Sequence, residues 1–196
     1  MKIINLTNDS KIYTSNVYFL IGDWKGFDDV NALIDAGRDH SIIEKIKKLD
    51  TGVGKKKLEK VVLTHGHYDH ASLLPAIKNE FNPKAYAFHS FDGVSHILRD
   101  GQTLKLADRW FEVIHTPCHT GDSICLYCAQ EAVLFSGDTP LIITATDGSY
   151  QKDFISALER IARRNITTIY PGHGEPITCK VKQSIYASLD NIRKNN

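Results

Sequence analysis

Four side chains of metal-ligating type lie within six consecutive residues in the segment Thr64-His65-Gly66-His67-Tyr68-Asp69-His70. The segment follows residues 60–63, a short apolar run of strand type. In an extended chain, side chains alternate with period two, so His65 and His67 project to the same side and can share one ion. Gly66 leaves room for the backbone to run close to that ion. Asp69 and His70, beyond the turn, face the neighbouring space. Two ion positions can therefore be fed from six residues, at the open end of a strand.

The competing reading is a histidine-rich loop that binds nothing. With this chain's composition, nine histidines against a single methionine, a His-x-His-x-Asp-His string arises somewhere by chance with a probability of roughly 10⁻³. Three more segments weigh against chance: His115-Thr116-Pro117-Cys118-His119-Thr120, Phe135-Ser136-Gly137-Asp138-Thr139 and Tyr170-Pro171-Gly172-His173-Gly174. Each sets a potential ligand beside glycine, proline or a strand end, where turn-borne site residues collect. His40, His89, His96 and His115 fall outside the ligand pattern and read as solvated or hydrogen-bonded neutral groups.

The chain of 196 residues shows no internal repeat, low-complexity tract or linker, so residues 1–196 read as one domain. Strand-type stretches at 2–6, 12–21 and 30–35 suggest an antiparallel start. Ser41 and Glu44 form a capping box ahead of Ile42, Ile43, Ile46 and Leu49, an amphipathic helix. A second helix begins near Pro75. Further strands are expected at 84–88, 103–106, 110–115, 123–127, 132–135 and 167–170, with helices at 153–163 and 181–193. Helices that follow groups of strands, without strict alternation, indicate an α/β protein of two sheets flanked by helices rather than a Rossmann sheet.

Hydrophobic residues at 42% and charged residues at 24% exclude disordered and fibrous classes. A formal net charge of +1 provides no whole-molecule field for a nucleic acid or an anionic membrane. Such a partner would need a local patch. No apolar run reaches the length of a membrane span and residues 1–10 lack a secretory core, so a cytoplasmic protein is expected. The four cysteines then read as reduced thiols. Cys125 and Cys128, three apart on a strand, point to opposite faces, which favours structural roles over a redox or zinc motif. Cys118 reads as a small buried thiol.

In these motifs, which run in order from Asp35-Ala36-Gly37 to His173, the chain resembles the metallo-β-lactamase fold superfamily, and in motif style its glyoxalase II-like hydrolases. The likeness covers nearly the whole chain. It implies a four-layer αββα sandwich of two mixed sheets, with two divalent metal ions at the sheet edges. It implies one ion position from His65, His67 and His119, a second from Asp69, His70 and His173, and Asp138 bridging the two. Imidazole and carboxylate donors suit zinc, and also iron or manganese. The implied activity is that of a metal-dependent hydrolase: a bridging hydroxide cleaves a small ester, lactone or thioester, with Asp69 and Asp138 as catalytic carboxylates.

Departures from relatives narrow that expectation. Zinc β-lactamases place a cysteine in the second site, where this chain offers His70 with Asp138, which disfavours antibiotic hydrolysis. Flavodiiron relatives carry a glutamate at the position of His67 and a fused flavodoxin domain. Glyoxalase II has glutathione-binding basic residues in a C-terminal helical extension, whereas the residues after His173 suffice for one helix, so the resemblance does not carry glutathione specificity. The alternatives are a persulfide dioxygenase-like oxidoreductase with a single iron and a phosphodiesterase or nuclease. The nuclease would need a basic channel. A small-molecule substrate is expected, selected by loops such as 139–150.

Overall fold

Several strand-forming stretches are apolar at nearly every position, so each sheet must be covered on both faces. Tyr18-Phe19-Leu20-Ile21, Ile124-Cys125-Leu126-Tyr127-Cys128 and Val133-Leu134-Phe135-Ser136-Gly137 are buried throughout. A computed structural model describes residues 1–145 and 149–194 and shows how that cover is arranged. The first half supplies β1 (Lys2–Asn5), β2 (Tyr18–Ile21), β3 (Ala32–Ile34), α1 (Ser41–Lys48), β4 (Lys60–Val62), α2 (Tyr68–Ala71), α3 (Leu74–Phe81), β5 (Lys84–Ala87) and β6 (His96–Ile97). Its strands form a sheet in chain order, antiparallel from β1 to β3 and parallel from β3 to β6. The second half supplies β7 (Thr103–Leu106), β8 (Arg109–His115), β9 (Ile124–Cys128), β10 (Val133–Gly137), α4 (Lys152–Ala162), β11 (Thr168–Pro171) and α5 (Val181–Arg193). They form a sheet of order β11-β10-β9-β8-β7, in which only the β10–β11 pair is parallel. Parallel neighbours need crossovers, which α1, the α2–α3 pair and α4 provide for β3–β4, β4–β5 and β10–β11, while residues 88–95 join β5 to the two-residue β6 without a helix.

Alternation along each strand sorts the apolar residues into three cores. Tyr18, Leu20, Ile34 and Val62 of the first sheet meet Leu106, Phe111, Val113, Leu126 and Phe135 of the second. Phe19, Leu33 and Val61 point the other way, against Ile42 and Ile46 of α1 and Leu74 and Ile77 of α3. On the outer face of the second sheet, Ile114, Leu134 and Ile169 pack on Phe154, Leu158 and Ile161 of α4 and on Ile185 and Leu189 of α5. The layers run α/β/β/α, the sandwich that the motif resemblance implies. Cys125 packs under the helices and Cys128 lies between the sheets, as their odd separation requires. Among the described residues no helix is long and apolar enough to cross a membrane.

Two local expectations need correction. The strand expected at 12–21 is confined to Tyr18–Ile21. Ahead of it the backbone turns to other partners: Ser15 N–H donates to Asp69 O and Asn16 N–H to Gly172 O. Ser41 does not cap α1 but opens it. The N-cap position is His40, whose side chain makes no capping bond; Asp39 Oδ1 accepts Ser41 N–H at 2.9 Å, while Glu44 pairs with Lys47 at 3.0 Å. The short β6 and α2, of two and four residues, have too little length for a periodic signal.

Adjacent residues of β8 test this layering. Phe111 is fully buried between the sheets and Trp110 is 57% exposed. Phe111→Ala should lower unfolding free energy by about 3–5 kcal/mol, and Trp110→Ala by no more than about 0.5 kcal/mol. Urea unfolding of both variants, matched for metal content, checks the difference.

Candidate metal centre

Strand ends bring the ligand-type side chains to one edge of the two sheets. Asp35 follows β3, His65 follows β4, Asp138 follows β10 and His173 follows β11. His119 lies in the turn between β8 and β9, and Asp69 and His70 sit on α2, which His67 precedes in an extended conformation. The arrangement is fixed from below by Asp35, whose carboxylate is buried. Its Oδ1 accepts Thr64 N–H at 2.7 Å, and its Oδ2 lies 2.9 Å from the Thr64 hydroxyl and 2.8 Å from His70 Nδ1. With Nδ1 held there, the ring of His70 is oriented and Nε2 is the atom left for the site, as in carboxylate–histidine–metal arrangements.

The seven expected residues come together in three overlapping groups, in each of which the potential donor atoms lie within 4.8 Å of one another: His65, His67 and His119; His65, His70 and Asp138; Asp69, His70 and His173. Asp138 stands among the imidazoles, with Oδ1 3.3 Å from His70 Nε2 and Oδ2 3.5 Å from both His119 Nε2 and His173 Nε2. His173 Nε2 is 3.0 Å from Asp69 Oδ2, and His119 Nε2 is 3.0 Å from His67 Nδ1.

The donor set fits metal ions on two observations. Nε2 of His65 is buried without a hydrogen-bond partner, and the buried Nε2 atoms of His70 and His173 face only the carboxylates of Asp138 and Asp69, a cluster of donor atoms that a shared cation would satisfy. Gly172 supplies the second: a Cβ there would overlap Asp138 Oδ1 and approach His70 Cε1 to 2.7 Å. Only a residue without a side chain lets β11 deliver His173 beside Asp138.

Charge follows the same geometry. Burial, and then the neighbouring His70, push the His65 imidazole down to about 4, so it is neutral at physiological pH. Burial also opposes a charge on His70, but the Asp35 and Asp138 carboxylates outweigh it and hold its pKa up at about 10. Burial favours the neutral form of Asp138, yet His70, His173 and His65 hold its pKa down at about 2. Without a cation, His70 therefore keeps a proton between two carboxylates, which an incoming cation must displace.

A cavity of about 360 Å³ opens beside His119, Asp138 and His173, with an aliphatic wall of Leu141, Ile142, Ile169 and Ile177. No lysine or arginine lines it among the described residues. Of the loop 139–150, residues 146–148 lie outside the described residues. Cys118 packs against the outer core of the second sheet, and burial pushes its thiol pKa up. Outside the cluster, His115 stacks on Phe88 at 3.9 Å and His96 on Tyr86 at 4.6 Å. Sequence reasoning overlooked Tyr13, which stacks on His173 at 5.4 Å. Within an expected strand it carried no distinguishing signal.

An αββα sandwich with a five-histidine, two-aspartate cluster at the shared edge of its sheets has the build of a metallo-β-lactamase-type protein. The sequence model of the Metallo-beta-lactamase superfamily matches residues 13–173, and the chain belongs to that superfamily. It is 37% identical over 125 residues to a probable hydroxyacylglutathione hydrolase of Schizosaccharomyces pombe, covering 59% of this chain and 48% of that protein. A second protein of that organism, the probable hydroxyacylglutathione hydrolase glo2, is 32% identical over 153 residues, 74% of this chain and 59% of the relative. The chain thus spans about half the length of these relatives. In fold it is similar to the crystal structure of ETHE1 from Myxococcus xanthus, with a TM-score of 0.72, 19% identity, and coverage of 98% of this chain and 88% of that one.

Two glycines separate a site effect from a general one. Gly172→Ala should weaken zinc binding about tenfold or more, the range for losing the support of a ligand. Gly121→Ala, where a Cβ meets nothing within 4 Å, should leave it unchanged. Competition with a chromophoric chelator measures both.

Proposed function

We propose that this protein is a metal-dependent hydrolase of small acyl substrates, an ester, lactone or thioester. One divalent cation would be held by His65, His67 and His119, a second by Asp69, His70 and His173, with Asp138 shared. The supporting observation is the convergence of seven donors, three of them imidazoles with buried Nε2 atoms, beside an aliphatic cavity. Zinc suits these donors, and iron or manganese fit the same set. Bound there, the cations would supply Lewis acidity and a hydroxide at neutral pH.

The side chains divide the remaining work. Asp138, ionised at neutral pH, brings negative charge between the two triads. Asp69, buried and with Oδ2 3.0 Å from His173 Nε2, is placed to orient the nucleophile and to pass its proton to the leaving group. Leu141, Ile142 and Ile177 offer apolar contact to an acyl chain and exclude water from it. The absence of lysine and arginine from the described lining favours an uncharged acyl group over a phosphate backbone.

Parallel assays of the metal-loaded protein against aryl esters, lactones, thioesters, phosphodiesters and structured RNA test this reading. An acyl substrate should have the highest kcat/KM. Phosphodiester or RNA cleavage that exceeds every acyl substrate tenfold, about 1.4 kcal/mol of transition-state preference, would overturn it, as would oxygen uptake with a sulfur substrate and no hydrolysis.

A further inference from the structure

At the opposite end of β4 from the histidines, the first sheet carries a second concentration of charge. A cavity of about 500 Å³ is lined by Lys56, Lys60, Lys78 and Lys84, with His96 and a single carboxylate, Glu59. Lys60 opens β4 and Lys84 opens β5, and the two are register partners in the parallel pair. Five residues at about 3.3 Å each put Lys60 roughly 16 Å from His65 along the chain.

None of these four lysines forms an ion pair among the described residues, although many other basic side chains of the chain do. Lys60 Nζ donates to Lys105 O at 3.0 Å and lies 5.6 Å over the Tyr86 ring, and Lys78 Nζ donates to Gly93 O at 2.7 Å. Glu59 is engaged elsewhere, its Oε2 accepting Asn31 N–H at 2.9 Å. His96 Nδ1 is 2.9 Å from Ser95 Oγ, which leaves Nε2 as its free ring nitrogen. Burial, with Lys84 and Lys105 nearby, pulls the Lys60 pKa below the ordinary lysine value. Like charges gathered around one cavity repel one another. With basic and acidic residues nearly balanced over the chain, at a net charge of +1, a cavity with four lysines and one carboxylate departs from the average surface.

We propose that this cavity binds a compact oligophosphate, with Lys56, Lys60, Lys78 and Lys84 as the point charges that hold it. Lysine ammonium groups are established phosphate binders, and the volume lies in the range of small-molecule sites. A polynucleotide would need a basic track extending beyond the cavity. The site is independent of the histidine cluster in residues and position.

Calorimetric titration of the metal-loaded protein with tripolyphosphate and with ADP, at low ionic strength, tests the assignment. Each probe should bind at about one equivalent. The Lys60→Gln/Lys84→Gln double variant should weaken both at least tenfold, and added salt should weaken binding to the unaltered protein. Lys84→Gln alone, at an exposed position whose side chain makes no hydrogen bond among the described residues, should weaken both at least threefold and covers the case in which the double variant fails to fold. Asp138→Asn should change neither affinity by more than twofold. Absence of binding, equal affinity in the lysine variants, or loss in Asp138→Asn, which would put the anion at the histidines, each overturns the proposal. So does a single-stranded oligonucleotide that binds tenfold more tightly than tripolyphosphate.

Discussion

Asp35 is a carboxylate that is 2% exposed at the end of β3, with a backbone φ of +60°. A buried charge of this kind persists only when its acceptor capacity is filled, and the left-handed conformation is one that aspartate tolerates better than most residues. Both conditions are met by the same contacts. Thr64 N–H and hydroxyl tie Asp35 to the end of β4, and His70 Nδ1 ties it to α2. The backbone closes the arrangement, because His70 O accepts the N–H groups of Ala36 and Gly37. The orientation of the His70 ring and the step from Thr64 to His65 rest on this one side chain, and the seating of α2 on it together with these backbone bonds.

The division of labour between strand interiors and strand ends follows from burial. Each sheet lies between a helical layer and the other sheet, so strand interiors are committed to apolar side chains on both faces. Polar chemistry is left to the ends. At one end of the first sheet stand Asp35, His65 and the α2 residues, joined from the second sheet by Asp138 and His173. At the other stand Lys60 and Lys84. The Val30–Ala107 bridge links the loops ahead of β3 and after β7.

How much of this was legible depends on whether the information is local. The same-side projection of His65 and His67 is a property of an extended backbone, and both lie with His119 in one group. The opposite packing of Cys125 and Cys128 follows equally from strand period. The four layers could be read only in part: the residues indicated two sheets with flanking helices, and the family resemblance supplied their stacking. Interactions between distant segments were not legible. Residues 12–17 have strand composition, but their backbone is drawn away by Asp69 and Gly172, far along the chain. Ser41 had the spacing of a cap, yet it is already the first helical residue, and its own N–H is taken by Asp39 Oδ1 from two residues before the helix. The necessity of Gly172 becomes visible only once Asp138 and His70 are seen against its missing side chain.

The central claim is that His65, His67, His119, Asp69, His70, His173 and Asp138 together hold two cations. It is tested most directly by elemental analysis of protein reconstituted with zinc, iron or manganese and freed of loosely bound ions, at pH 8 and again at pH 5. Coordination requires deprotonated imidazole nitrogens, so protons compete more strongly as the pH falls, and in the metal-free site, despite burial, the Asp35 and Asp138 carboxylates add to this by favouring a proton on His70. The account therefore predicts about two equivalents per chain at pH 8 and a steep loss by pH 5. Absence of bound metal at pH 8, or a single equivalent of iron that no excess of metal raises to two, would contradict it.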